Sequence, residues 1–340
     1  MNSRIEWLDS LRAISSIAVV FFHLSGPDPS NPRVDNSFYF QVISYGWLGV
    51  PVFFFISGYC IKMVLDNTKS MAEFLIKRFL RIFPAYYFSL LLTLAAIMAR
   101  YLYLGANDLA EIPKTLESIL ATIFLLTAPA SSTPVINWVY WSLTYEIFFY
   151  VIISFSFLLK QGQRLHFVLF ITFLSLVYNY LKEFNFFFLS QWPMFSLGFF
   201  TYSLVKKENV VTSIGGIVIS FFSLFLNYPY LTEKNPFYYL VAATCVFIFA
   251  LFNNYFTPNI RVPKLFVKIG LCSYSLYLIH VPLGVYLIKD LRNAILISSP
   301  RLRFFIDNLT LLVLLILSYF IYLYIEEPFR KVGKRLMKPS

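Results

Sequence analysis

The sequence predicts an all-α integral membrane protein of about ten transmembrane helices, with both termini cytoplasmic. Three observations predict it. Apolar stretches of about 18 or more residues recur along nearly the whole length. Charged residues make up only 13% of the chain and the mean hydropathy is +0.69, whereas a soluble domain carries roughly 25% charge. Lys and Arg gather in short loops on one side of the predicted stack and in the tail, at Arg330, Lys331, Lys334, Arg335 and Lys338, which is the positive-inside pattern.

The net charge of +11 therefore speaks for anionic lipid headgroups as partners rather than nucleic acid. No soluble stretch is long enough for a second domain, so residues 1–340 read as one transmembrane domain with a basic cytoplasmic tail at 326–340. Cys60, Cys245 and Cys272 are odd in number and lie in apolar segments, with no metal-ligand spacing, so neither a disulfide framework nor a metal site is expected.

The predicted spans lie at about 7–25, 46–65, 82–104, 136–159, 166–182, 191–205, 210–228, 236–254, 268–288 and 304–325. An even number returns the chain to its starting side. Two segments run against the scheme. The outer loop 289–303 carries Lys289, Arg292, Arg301 and Arg303, and the apolar segment 115–127 reads either as an interfacial helix or as a further span. Arg12, Lys62 and Arg100 fall inside spans.

The first span opens on charge before its apolar run, as a signal peptide would, but no A-x-A-like cleavage site follows, so it reads as an uncleaved helix. It carries Asp9, Arg12, Ser16 and His23 on one face: eleven steps of about 100° bring His23 to within about 20° of Arg12, roughly 16 Å further along the axis. Ionisable groups inside a bilayer are costly and mark functional pathways; a snorkelling Arg and a His satisfied by a neighbouring helix would give the same pattern. After the second span, a loop brings Lys77, Arg78 and Arg81 to the membrane surface, where they suit phosphate binding or ordinary positive-inside anchoring. In the fourth span Ser142, Glu146 and Tyr150 form a stripe at i, i+4, i+8. A carboxylate at that depth serves as acid or base, or takes structural hydrogen bonds. In the ninth span Gly270, Ser273, Tyr277, His280 and Gly284 form a second stripe, a polar seam or a close-packing face. His166, the third histidine, falls at a helix start and reads as solvent-facing.

Together these segments resemble the acyltransferase 3 family of polytopic membrane acyltransferases. Arg12 and His23 match its R-x10-H first helix. Phe53, Phe54, Ser57 and Gly58 resemble its FF-x-x-SG segment. Arg78, Arg81, Ile82 and Pro84 match R-x-x-R-I-x-P. Trp141, Ser142, Leu143, Glu146, Phe149 and Tyr150 match W-S-L-x-x-E-x-x-F-Y. Ser273, Tyr274, Tyr277, His280 and Pro282 match S-Y-x-x-Y-x-x-H-x-P, and Glu326, Pro328 and Phe329 match E-x-P-F. The likeness covers nearly the whole chain. One departure is Ser10-Leu11-Arg12-Ala13, where the family often has glycines.

The resemblance implies ten helices and transfer of an acyl group, usually acetyl from acetyl-CoA, to a hydroxyl of a sugar or other acceptor. The catalytic residues implied are His23, Glu146 and His280. Arg12, Lys77, Arg78 and Arg81 would bind the acetyl-CoA phosphates. Asp9, Ser57, Trp141, Ser142, Tyr150, Ser273, Tyr277 and Glu326 would support the site or contact the acceptor. The chain ends about a dozen residues after its last span, as expected of members without an SGNH esterase-like domain, which O-acetylate O-antigen of lipopolysaccharide, exopolysaccharide or similar glycans at the inner membrane. A different class is a secondary transporter or flippase of glycans, but the paired broken helices of such folds are not evident here.

Overall fold

The computed structural model describes residues 5–25, 38–105, 112–178, 186–227, 237–256, 262–295 and 299–335. Helices dominate, and no strand occurs among the described residues. In chain order they include α1 (Glu6–Ser25), α2 (Gly49–Asp66), α3 (Met71–Leu104), α4 (Leu116–Ile123), α5 (Trp141–Phe155), α6 (Arg164–Leu176), α7 (Trp192–Val205), α8 (Val210–Leu226), α9 (Phe237–Tyr255), α10 (Lys264–Ile279) and α11 (Pro300–Ile321); further short helices occupy Phe38–Ile43, Asp290–Ala294 and Glu327–Arg335. Two end in π-helical segments, His280–Lys289 after α10 and Tyr322–Glu326 after α11.

Seven helical stretches among the described residues are long and apolar enough to cross a membrane, where about ten were expected. The predicted spans near 166–182, 191–205 and 210–228 hold helices of 13, 14 and 17 residues, against the ~20 that hydrocarbon thickness asks of an upright helix. The segment 115–127 is resolved in the other direction. Its helix α4 has 8 residues, begun by a Thr115–Ser118 capping box, and rises only about 12 Å, too little to span. The basic segment expected as a loop is instead helical: Lys77, Arg78 and Arg81 belong to the first turns of the 34-residue α3.

The described residues fall into two compact units. The first takes in Met1–Gly49, Phe79–Trp141 and Val262–Ser340. Its centre is α1 against α10, brought together by the absence of a side chain: a Cβ on Gly270 would stand 2.1 Å from the Asp9 carbonyl oxygen. Gly46 meets the Ala18 carbonyl of α1 in the same way, at 2.1 Å from a Cβ position. With no hydrophobic drive between helices in lipid, such close approach is what association rests on.

The second unit takes in Val50–Arg78 and Ser142–Arg261. Here the crossing is reciprocal. A Cβ on Gly58 of α2 would lie 1.8 Å from the Phe195 carbonyl oxygen, and one on Gly198 of α7 would lie 1.9 Å from that of Phe55. Hydroxyl pairs Ser175–Ser223 at 2.9 Å and Ser196–Ser220 at 2.8 Å join α8 to α6 and α7.

Each cation placed inside a span has an acidic partner. Arg12 reaches Asp9 at 3.5 Å, Arg100 reaches Asp290 at 3.0 Å, and Lys62, 3% exposed, is held between Asp66 and Glu208. Pairing is what makes a charge tolerable at that depth.

Candidate active site

His23 and His280 lie side by side in the first unit, with ring centroids 5.2 Å apart. They come from parallel elements joined at both ends. Gly270 seats α10 on Asp9, and past its last turn the π-helix begins at His280, level with the third turn beyond Arg12. The π-turn has a cause in the sequence. Pro282 has no N–H to give to the Leu278 carbonyl. That carbonyl instead accepts from Ser89 Oγ at 2.9 Å, and Ser89 in turn meets Tyr140 Oη at 2.7 Å. π-Bulges of this kind recur at functional sites.

The two rings are presented differently. His280 is 0% exposed, and its Nδ1 lies 2.6 Å from the Tyr277 carbonyl. A carbonyl only accepts, so Nδ1 carries the proton and the neutral ring turns a lone pair outward at Nε2. That Nε2 is buried and meets no hydrogen-bond partner among the described residues. His23 is partly exposed, stands edge-on to Phe22 at 5.0 Å and lies 5.7 Å from the ring of Trp138. Tyr277 packs on His280 at 5.6 Å and donates its hydroxyl to the Val139 carbonyl at 3.1 Å.

The carbonyl end of α1 is clamped. Lys289 Nζ, at the far end of the π-helix, donates to the His23 carbonyl at 2.9 Å. Arg292 donates to the Leu24 carbonyl at 3.4 Å and pairs with Asp307, and Asp307 accepts from Ser25 Oγ at 2.6 Å. Cations at a helix C-terminus meet its orphan carbonyls and its dipole together. In the sequence Lys289 and Arg292 read as outer-loop charges that run against the positive-inside pattern. That irregularity was the signal of a clamp on the His23 helix.

Glu146 sits in the second unit. It accepts from Ser57 Oγ at 3.1 Å and from Tyr150 Oη, the residue one turn on. Arg78, only 8% exposed, places its guanidinium 5.6 Å from the Tyr150 ring centre. The Gly58–Phe195 crossing seats Ser57 where it can reach the carboxylate. At the start of α5, Ser142 of the predicted stripe is buried, and Trp141, predicted to support the site, is half-buried.

The remaining predicted residues distribute as follows. Asp9 is buried beside Arg12. Lys77 pairs with Glu73 at 2.5 Å. Ser273 Oγ is buried and donates to the Gly270 carbonyl at 2.9 Å. Glu326 accepts from the Ser275 N–H at 3.1 Å and from its hydroxyl, and Arg81 acts on it electrostatically. His166 is exposed, its Nδ1 3.3 Å from the Gly162 carbonyl.

A family model described as an acyltransferase domain matches residues 5–327. The chain is 26% identical over 287 residues to a candidate acetyltransferase of Acidianus two-tailed virus, covering 80% of this chain and 81% of that protein. It is 25% identical to a candidate O-acetyltransferase of Staphylococcus aureus strain COL, over 99% of this chain and 59% of the relative. It is 24% identical to the O-acetyltransferase OatA of Staphylococcus aureus, over 96% of this chain and 57% of the relative. The chain thus spans under two thirds of these staphylococcal proteins. No solved structure matches it.

Proposed function

Since the chain belongs to the acyltransferase 3 family, whose acyltransferase domain accounts for residues 5–327, we propose that it is a multi-pass O-acetyltransferase of the inner (cytoplasmic) membrane. In this reading the chain is one domain that crosses the membrane about ten times with both termini inside. It moves acetyl from cytoplasmic acetyl-CoA to a hydroxyl of a cell-surface glycan, such as O-antigen or exopolysaccharide. The observation that carries it is the histidine pair. A partly exposed His23 stands beside a buried His280 whose proton is committed to Tyr277 and whose Nε2 has no partner among the described residues.

The chemistry follows from general acid–base logic. His23 takes the proton of the acceptor hydroxyl as its oxygen attacks the thioester carbonyl. The C–S bond breaks, the acetyl ester forms, and the proton passes to the departing CoA sulfur. His280 Nε2 accepts a hydrogen bond from the His23 ring or from the acceptor, and so orients the proton being moved. Glu146, whose Oε1 accepts from both Ser57 and Tyr150, supplies the carboxylate of the mechanism. Arg12, Lys77, Arg78 and Arg81 are assigned to the acetyl-CoA phosphates, where guanidinium groups offer bidentate geometry. The roughly 16 Å between Arg12 and His23 along α1 matches the reach of a pantetheine arm in length. A covalent acetyl-His23 intermediate fits the same residues and differs only in the order of steps.

The test is transfer of labelled acetyl from acetyl-CoA to the host's surface polysaccharide, in membranes holding this protein or its His23→Ala variant. Label that depends on His23 supports the reading. Full transfer by His23→Ala overturns the mechanism. No label from well-accumulated wild-type protein overturns the donor and acceptor assignment and favours glycan transport.

A further inference from the structure

Trp138 is 42% exposed, yet its ring is not loose. It lies 5.7 Å from the His23 ring, tilted by 41°, and stands edge-on to Tyr286 at 5.7 Å and 87°. Tyr286 is itself held by the Arg100 guanidinium 4.6 Å from its centre, and Arg100 by Asp290 at 3.0 Å. Behind the indole, Asn137 Oδ1 accepts from the Val139 N–H at 3.2 Å and so starts the short 3₁₀ turn Trp138–Tyr140. A large aromatic face is thus braced from one edge and left open beside the histidine that is partly exposed.

An open indole at a helix start also suits a membrane-interface anchor. The neighbours argue otherwise. The shelf is continuous with an imidazole, Lys289 ends the π-helix that carries Tyr286, and the Arg100–Asp290 ion pair stands against Tyr286. A lipid-facing surface offers no use for them. A pyranose ring does: it has an apolar C–H face that stacks on an indole and a rim of hydroxyls that seek polar groups.

We propose that Trp138 is the stacking platform for the sugar ring that receives the acetyl group, with Tyr286 and Arg100 as its brace. This rests on the acetyltransferase reading above and adds to it the acceptor subsite. A ring stacked on Trp138 carries its rim hydroxyls towards His23, one ring-width away. The platform therefore helps to select which hydroxyl is deprotonated, and binds acceptor without binding acetyl-CoA.

The experiment measures labelled acetyl transfer from acetyl-CoA to oligosaccharides cut from the host's surface polysaccharide, in membranes holding wild type, Trp138→Ala, Trp138→Phe or Trp138→Leu. Trp138→Ala is expected to raise the acceptor KM by about tenfold or more while the acetyl-CoA KM stays within about twofold. Trp138→Phe is expected to recover most of the loss and Trp138→Leu little of it, since Leu keeps apolar bulk but has no ring face. Recovery by Leu equal to that by Phe, an unchanged acceptor KM, or a matching rise in the acetyl-CoA KM each overturns the platform. If Trp138→Ala fails to accumulate, the Phe and Leu variants decide alone. Wild-type membranes that label no oligosaccharide overturn the function itself. Wild-type transfer with unaltered variants overturns only the role of Trp138.

Discussion

The histidine pair of the first unit and the carboxylate of the second are held by opposite strategies. Glu146 takes hydrogen bonds from two hydroxyls, Ser57 and Tyr150, on neighbouring faces of its own unit. His280 gives its one proton to a backbone carbonyl and keeps its other nitrogen without a partner among the described residues. The difference follows from charge. A carboxylate in a low-dielectric interior needs donors before anything else, because an unsatisfied buried charge costs far more than an unsatisfied neutral nitrogen. A neutral imidazole needs only one bond to fix its tautomer, and can leave the other nitrogen for chemistry. The second strategy is the one expected of a group that moves protons.

The sharpest way to break this contrast is to remove the reactive ring. His23→Ala is expected to lower acetyl transfer by about 10²- to 10⁴-fold with the protein still accumulating, the range of a lost general base. Labelled acetyl transfer checks it. Removing the charge of the other region comes next. Glu146→Gln is expected to cost roughly 10- to 10³-fold in transfer, whereas Tyr150→Phe, which leaves the carboxylate with Ser57, is expected to cost at most about tenfold. A Tyr150→Phe loss as large as that of Glu146→Gln would assign the chemistry to the phenol.

Smaller effects probe the two crossings that position the groups. Gly270→Ala and Gly58→Ala each force a Cβ into a backbone carbonyl, at 2.1 Å and 1.8 Å respectively. Each is expected to destabilise by roughly 1–3 kcal/mol, the cost of overpacking, seen as a lowered thermal midpoint in detergent. The smallest change tests the clamp. Lys289→Met removes the charged donor to the His23 carbonyl, and is expected to lower kcat about threefold to tenfold while the acetyl-CoA KM holds steady. A KM effect without a kcat effect would move Lys289 from the His23 helix to substrate binding.

Much of this was legible along the chain. The all-helical fold, the membrane character and the faces shared by Ser142, Glu146 and Tyr150 or by Tyr277 and His280 follow from hydropathy and from helical periodicity. Those are local properties, set by spacings of three and four residues. Three things were not legible. The segment 115–127, open between an interfacial helix and a further span, holds a helix of only 8 residues, because an apolar run does not mark where a helix ends. The segment carrying Arg78 and Arg81 belongs to a long helix, although its charges read as a loop at the membrane surface. Lys289 and Arg292 looked like misplaced loop charges.

Residue type and periodicity were enough to nominate His23, His280 and Glu146, since an ionisable group in an apolar run stands out against its neighbours whatever the fold. Nothing in the spacing could pair His23 with His280 across 257 positions, hand the Leu278 carbonyl to Ser89 where Pro282 has no N–H, or put Trp138 beside an imidazole. Those pairings depend on which backbones approach closest. That is decided by a few glycines whose missing side chains matter only once another helix lies against them.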